Sequence, residues 1–344
     1  MNILAFGEIM MRLSVPDYKF LTQTNELNYI ITGTGLNILS GLKNFGYNTY
    51  MLTKLPNNNV GKASSANIRK LGVKDDFITY GGNHIGVYFL ENGYGERPSE
   101  VTYLNRLNSS FCESKLQDYD IDKCLEGMDI VHICGIAMQL TDSVKEIALE
   151  LARKSYEKGI KVFFDFNFRQ SLNPERTYDD LVNDYKKILP YCHGLFASYR
   201  DINKILNIDS LNIKSSSELI KKEYDIGIVA GTMRRFDDMN NRFIKGYISN
   251  DDGYFESREY KLEIYDRVGA GDGYVAGIIY SYLENMKSED IVEFGVASSV
   301  LAHTTYGDNS LVSTGHVLRL MNNEKIDILL SLIHISEPTR RYAI

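Results

Sequence analysis

Apolar and polar positions alternate along this chain with two different periods. Residues 2 to 7 form a short apolar run that stops at Gly7, the signature of a strand buried on both faces. From Gly35 to Gly46 the sequence GLNILSGLKNFG sets Leu36, Leu39, Leu42 and Phe45 at helical spacing, and Gly46 ends the pattern. A strand at 49 to 55 and a helix at 60 to 71 repeat the unit. The alternation recurs at 128 to 134, 142 to 158, 161 to 166, 179 to 188, 194 to 197 and 226 to 230. Strands alternating with helices predict a mainly parallel sheet covered on both faces, an α/β fold of three layers and Rossmann-like character. Two stretches break the rhythm. Residues 9 to 31 and 77 to 106 alternate apolar with polar positions and carry turn signals such as Gly81-Gly82, with no helix between the strands. They are expected to form a small antiparallel sheet standing off the main domain as a β-sheet lid that excludes water. A single domain over 1 to 328 follows.

Composition narrows the function classes. The 344 residues are 44% hydrophobic and 24% charged, values of an ordered globular chain. A net charge of -7 argues against nucleic acid as a partner, because phosphate binding needs clustered Lys and Arg. Cys112, Cys124, Cys134 and Cys192 fit neither a CxxC pair nor a zinc pattern and are expected to be buried thiols. The opening apolar run is too short for a signal peptide, and no stretch reaches the roughly 18 apolar residues of a membrane span. The expectation is a cytoplasmic protein with no membrane partner.

The chemistry is concentrated in DRVGAGDGYVAGIIY, residues 266 to 280. Gly269, Ala270 and Gly271 leave backbone amides unobstructed at the start of an apolar helix, where the helix dipole favours an anion. Asp272 stands in the first turn, placed to take a proton from an attacking hydroxyl while the amides hold phosphate charge. A capping carboxylate beside a tight turn would have the same spacing, so spacing alone leaves both readings open. No GxxxxGK[ST] occurs, and Gly7 is followed by Glu8-Ile9-Met10 rather than by a dinucleotide fingerprint, which argues against a P-loop and a Rossmann dehydrogenase.

The passage DRVGAGDGYVAG resembles the C-terminal signature of the ribokinase-like (PfkB) carbohydrate kinases, and GKASSANIRKLGV at 61 to 73 falls in the same order as in that family. The resemblance implies a lidded α/β kinase that uses ATP and Mg2+, with Asp272 as base. The passages GEIMMRL at 7 to 13, LPNNNVG at 55 to 61, GVYFLENGYGERPSEVTY at 86 to 103 and DFNFRQSL at 165 to 172 resemble the members of the family that act on 2-keto-3-deoxygluconate. A small sugar acid is thus the implied substrate, with a neutral sugar such as fructose as the alternative and a non-catalytic sugar-binding regulator of the same fold as a third class.

By that resemblance Gly33 and Asn37 bind sugar hydroxyls, with Gly35 beside them. Arg169 and, from the lid, Arg106 hold the carboxylate and keto group, since a guanidinium binds a carboxylate through two parallel hydrogen bonds. Tyr88 and Tyr103 supply hydroxyls and ring faces. Tyr103 lies three residues before Arg106, which in a strand puts the two on opposite faces unless a bulge intervenes. An Asn-x-x-Glu motif is replaced by Ser198-Tyr199-Arg200-Asp201, where Asp201 serves as a shorter carboxylate acting on the metal through water and Ser198 faces the nucleotide. Gly231 and Thr232, ending the strand 226 to 230, resemble the nucleotide loop. Gly307 and Asn309, with Ala297 and His303 before them, are expected near the base. Asp165 and Asn167 support the metal or Arg169, or cap their turn. A homodimer through the exposed lid strands is expected. From Leu330 the sequence LSLIHISEPTRRYAI resembles a translated sequencing adapter, so 329 to 344 is expected to be a non-native tail.

Overall fold

The computed structural model describes residues 1–169, 172–173, 175–208 and 212–324, so the expected tail lies outside the described residues. In chain order the strands and helices are β1 (Asn2–Phe6), β2 (Met10–Ser14), β3 (Asn28–Thr32), α1 (Thr34–Asn44), β4 (Asn48–Leu55), α2 (Asn59–Lys70), β5 (Ile78–Tyr80), β6 (Gly86–Glu91) and β7 (Glu100–Leu104). There follow α3 (Ile121–Cys124), β8 (Ile130–Cys134), α4 (Asp142–Glu157), β9 (Lys161–Asp165), α5 (Tyr178–Ile188), β10 (Gly194–Phe196), α6 (Tyr199–Leu206) and α7 (Ile213–Tyr224). The remainder is β11 (Ile228–Phe236), β12 (Arg242–Asn250), β13 (Gly253–Glu256), β14 (Tyr260–Lys261), α8 (Ala270–Leu283), α9 (Ser288–Ala302) and α10 (Thr314–Met321).

The main sheet runs β13-β12-β11-β10-β9-β8-β1-β4-β5, with β14 paired to β12. It is parallel from β11 through β5 and antiparallel among β11, β12 and β13. Residues of β1 show why the sheet is covered on both sides. Ile3 and Ala5 pack into a core with α1, α8 and α9, whereas Leu4 and Phe6 join Val144, Leu151 and Tyr185 on the opposite face. All four are fully buried, which is the pattern a parallel strand between two helical layers requires. Helix starts are chemically marked: the Asn58 side chain accepts from the amides of Val60 and Gly61, and Thr141 from that of Val144. All four cysteines are free and buried. Among the described residues no helix is long and apolar enough to cross a membrane.

The small sheet has the order β3-β2-β6-β7. Its central pair β2/β6 is parallel, correcting the expectation of an antiparallel lid, and only the outer pairs are antiparallel. The reason lies in where the strands originate. β1 and β5 are parallel members of the main sheet, and each is followed after a short turn by a lid strand leaving in the same direction. β5 itself pairs with β4 and so belongs to the main sheet, not to the lid. β11 also runs beyond the expected end at 230, because it pairs antiparallel with β12 as far as Phe236.

Candidate active site

A cavity of about 810 Å3 opens where β1, β8, β9 and β10 end, beneath the lid and against the start of α8. Ligands of open α/β sheets collect at the carboxyl ends of the strands, and this volume lies high in the roughly 300–1,000 Å3 range of ligand pockets. There is room for two small molecules side by side.

Gly269 makes the floor of the cavity. Its φ of 81° is left-handed, and a Cβ there would lie 1.9 Å from the carbonyl oxygen of Asp308, so only glycine fits. Ala270 opens α8 and turns its side chain into the core, while its carbonyl accepts from the Ser299 hydroxyl at 2.9 Å. Gly271 faces open space, which leaves the amides at the helix start uncovered on the cavity side. Asp272 follows, in the first turn.

Asp272 is held by Asn37, whose amide nitrogen donates to its Oδ2 at 2.6 Å. Burial pushes its carboxyl well above the usual range. Asp165 and Asp308 push in the same direction, and the Asn37 hydrogen bond and the Arg169 charge oppose them. The result is a carboxylate less stable as an anion than an exposed one, and correspondingly more basic. Gly33 precedes α1 and sits so close to the chain at Glu8 that a Cβ would come within 2.2 Å of the Glu8 carbonyl oxygen. That contact seats the N-terminus of α1, and with it Asn37, against the cavity.

The lid is tied to this floor through charges. Arg12 of β2 is fully buried and pairs with Asp308 and, at 2.9 Å, with Asp266. Asp308 Oδ2 also accepts from Thr32 of β3 at 2.6 Å and from the Tyr88 hydroxyl of β6 at 3.1 Å. Three lid strands therefore converge on one carboxylate of the loop after α9. Burial holds the Asp308 carboxyl above its ordinary range, with Arg12 offsetting part of that effect.

Of the two expected carboxylate ligands, Arg169 projects from the turn after β9, its backbone amide fixed by Gln139 Oε1 at 2.8 Å. Its guanidinium lines the cavity and has no ion-pair partner among the described residues. Arg106 differs from expectation. It lies in a 3-10 turn beyond the lid rather than on a lid strand, is buried, and its Nε is committed to Glu8 Oε2 at 2.7 Å. Glu8 neutralises much of the charge that Arg106 was expected to bring. The Tyr103 question is resolved by Asn105, whose left-handed φ of 44° turns the chain so that the Arg106 guanidinium lies 4.9 Å from the Tyr103 ring centre. The Tyr88 and Tyr103 rings are 5.9 Å apart, and both line the cavity.

On the other half, Ser198 and Asp201 line the cavity as a capping box opening α6, with the Ser198 hydroxyl donating to Asp201 Oδ2 at 2.7 Å. Gly231 and Thr232 line it from the middle of β11 rather than from a loop at its end. Gly307 and Asn309 do not line it: the Gly307 amide donates to Asp266 Oδ2 at 3.2 Å, and the side-chain oxygen of Asn309 is buried. Asp308 between them lines the cavity, its carboxylate held by Arg12, Thr32 and Tyr88, and the left-handed Gly307, with a φ of 92°, turns the chain just before it. Ala297 and His303 are core residues of α9 and its end. Asp165 lines the cavity with Asn167. Its Oδ2 lies 3.0 Å from His132 Nε2 without the alignment of a hydrogen bond.

Sequence reasoning passed over Glu8, Arg12, Asp308, Arg234 and Arg267. The signal for Asp308 was an acidic residue flanked by the two small polar positions that were named. For Arg12 the signal pointed the wrong way, since it shares the buried face of β2 with Met10 and Ser14 while Leu13 is only half-buried.

The cavity thus brings a buried carboxylate, uncovered helix amides and a tethered lid together in one place. The model of the pfkB family carbohydrate kinases matches residues 1–314, so the chain belongs to that family and is a carbohydrate kinase. Among its relatives, a solved structure from Enterococcus faecalis, provisionally described as a 2-keto-3-deoxygluconate kinase, is 39% identical with a TM-score of 0.91, over 97% of this chain and 100% of that one. The 2-dehydro-3-deoxygluconokinase of Thermotoga maritima is 33% identical with a TM-score of 0.88, over 94% and 99%. A 2-dehydro-3-deoxygalactonokinase of Haloferax volcanii is 25% identical over 322 residues, 93% of this chain and 96% of that protein.

Proposed function

We propose that this kinase transfers the terminal phosphoryl group of ATP to the terminal hydroxyl of 2-dehydro-3-deoxy-D-gluconate, giving the 6-phosphate. The observation that carries the reading is Asp272, held by Asn37 beside the amides of Gly269 to Gly271 in a cavity that also presents the unpaired Arg169. The hydroxyl of a sugar seated on Gly33 and Asn37 loses its proton to Asp272 Oδ1 or Oδ2 as the new O–P bond forms and the bond from that phosphorus to the bridging oxygen of the departing ADP breaks. The turn amides and the dipole of α8 stabilise the charge on the transferred group. Tyr88 and Tyr103 cover the sugar from the lid and exclude water.

Mg2+ would supply charge neutralisation on the nucleotide phosphates. The residues fit an indirect role: one oxygen of Asp201 is anchored by Ser198, and the carboxylate borders the cavity, placed to hold a metal-bound water. Ser198, Gly231 and Thr232 form the nucleotide half. A cytoplasmic setting accords with four free thiols.

Arg169→Gln is expected to raise KM for the sugar acid by roughly 10- to 100-fold, the worth of a charged hydrogen-bonded contact, with KM for ATP changed little. Steady-state kinetics at varied sugar and fixed ATP read this directly. The neutral-sugar alternative draws support from one feature, the Glu8 partner of Arg106, which leaves only Arg169 of the two expected carboxylate ligands without an ion partner among the described residues. An ATP-consumption screen over 2-dehydro-3-deoxygluconate, its galactonate epimer, fructose and ribose separates the two. Preference for 2-dehydro-3-deoxygluconate supports the proposal, preference for its galactonate epimer keeps the acid class but moves the substrate, and preference for fructose over both acids removes the sugar acid while retaining the kinase.

The lid also supports a homodimer. All five residues of the edge strand β7 are exposed, including Val101, Tyr103 and Leu104, and such an edge invites a copy of itself. Light scattering should give twice the chain mass, and Leu104→Lys should reduce it to the monomer.

A further inference from the structure

β11 carries two adjacent arginines with different surroundings. Arg235 turns away from the cavity and is neutralised by Glu259, with Nε 2.9 Å from Oε1. Arg234 shares the face of Ala230 and Thr232, because side chains two apart in a strand point the same way, and all three line the cavity. No carboxylate pairs with Arg234 among the described residues. Its side chain is exposed, and its charged neighbour is a second cation, Arg242. Arg267 is the second uncompensated cation of this half. It stands between Asp266, which is already paired with Arg12, and the glycine turn; it lines the same cavity and has no ion partner among the described residues.

Both guanidiniums are exposed on the cavity and, among the described residues, have no counter-charge, so both are free to meet an anion. We propose that Arg234 and Arg267 bind the polyphosphate of the nucleotide, one from β11 and one from the entrance to the glycine turn, so that side-chain cations share the phosphate charge with the amides of α8. The inference rests on the kinase reading and on ATP as the phosphoryl donor. The amides and dipole of a helix start amount to roughly half a positive charge, whereas the two arginines add two fixed charges with planar donors suited to phosphate oxygens. Arg169 is assigned to the acid by the proposed function, which leaves Arg234 and Arg267, among the described residues that line the cavity, for the nucleotide.

Calorimetric titration of ATP, ADP and adenosine into the full-length enzyme, without sugar and with Mg2+ present, tests this. Arg234→Gln and Arg267→Gln should each weaken ATP and ADP by roughly tenfold or more, while adenosine, which lacks phosphates, binds as to wild type. Arg234→Lys should recover part of the loss. Unchanged ATP affinity in both Gln variants, or an equal loss for adenosine, would overturn the inference while leaving the kinase assignment intact. Failure of the wild-type enzyme to bind or consume ATP would instead remove the donor reading, and this inference with it.

Discussion

Asp272→Asn is expected to lower kcat by roughly 10²–10⁴-fold, the usual contribution of a positioned base, with KM for both substrates changed little, and at the same time to raise the melting temperature. The two effects share one cause. Burial and the nearby Asp165 and Asp308 carboxyls raise the Asp272 pKa in the folded protein, so between its unfolded and folded values the native state binds more protons than the unfolded chain. Stability therefore falls as pH rises through that window, and above it the ionised side chain costs stability. An Asn side chain keeps an oxygen for the Asn37 hydrogen bond and has no charge to bury. A gain of a degree or more is expected, since about 1 kcal/mol moves a chain of this size by roughly 1–2 °C. Differential scanning calorimetry and a coupled ATP assay on the same preparation decide the matter. A variant that is slower and also less stable would mean Asp272 is a structural cap.

Gly269→Ala should be nearly as damaging and for a different reason. The added Cβ meets the Asp308 carbonyl oxygen, and the left-handed backbone is strained for any L side chain. Relief requires either the start of α8 or the Asp308 loop to move. The first misplaces the amides, the second loosens the carboxylate that gathers Arg12, Thr32 and Tyr88 from the lid. Loss of one anion-hole donor alone costs roughly 10²–10³-fold, so kcat should fall at least that far. Gly271→Ala, whose Cβ meets nothing within 4 Å, should fold normally and serves as the control. Equal kcat for wild type and Gly269→Ala would show that the turn does not hold transferring phosphate.

The parallel sheet was readable because its strands are buried on both faces, so short apolar runs between amphipathic helices mark them without ambiguity. β4, β9 and α4 fall within a residue or two of where periodicity puts them. The lid was readable as strands but not in its pairing, since the direction of β2 and β6 follows from the main-sheet strands that launch them. In the site, the glycine turn and Asp272 were legible because they are contiguous in sequence. What was not legible depends on distant partners. Glu8 and Arg106 meet across 98 positions, and Arg12 and Asp308 across 296, so no local spacing announces either pair. Arg12 is moreover a charged residue on the buried face of β2, where hydrophobic patterning predicts the opposite. Arg234 was hidden by the early end assigned to β11, which left its side chain without a direction.

The central claim is that Asp272, ionised beside the amides of the glycine turn, takes the proton of the sugar hydroxyl. The most direct measurement is the pH dependence of kcat at saturating ATP and sugar acid, for wild type and Asp272→Asn in parallel. The wild-type rate should fall toward acid pH with a single ionisation above the ordinary carboxylate range, and the residual rate of Asp272→Asn should lack that limb. An identical acid limb in both proteins would contradict the account.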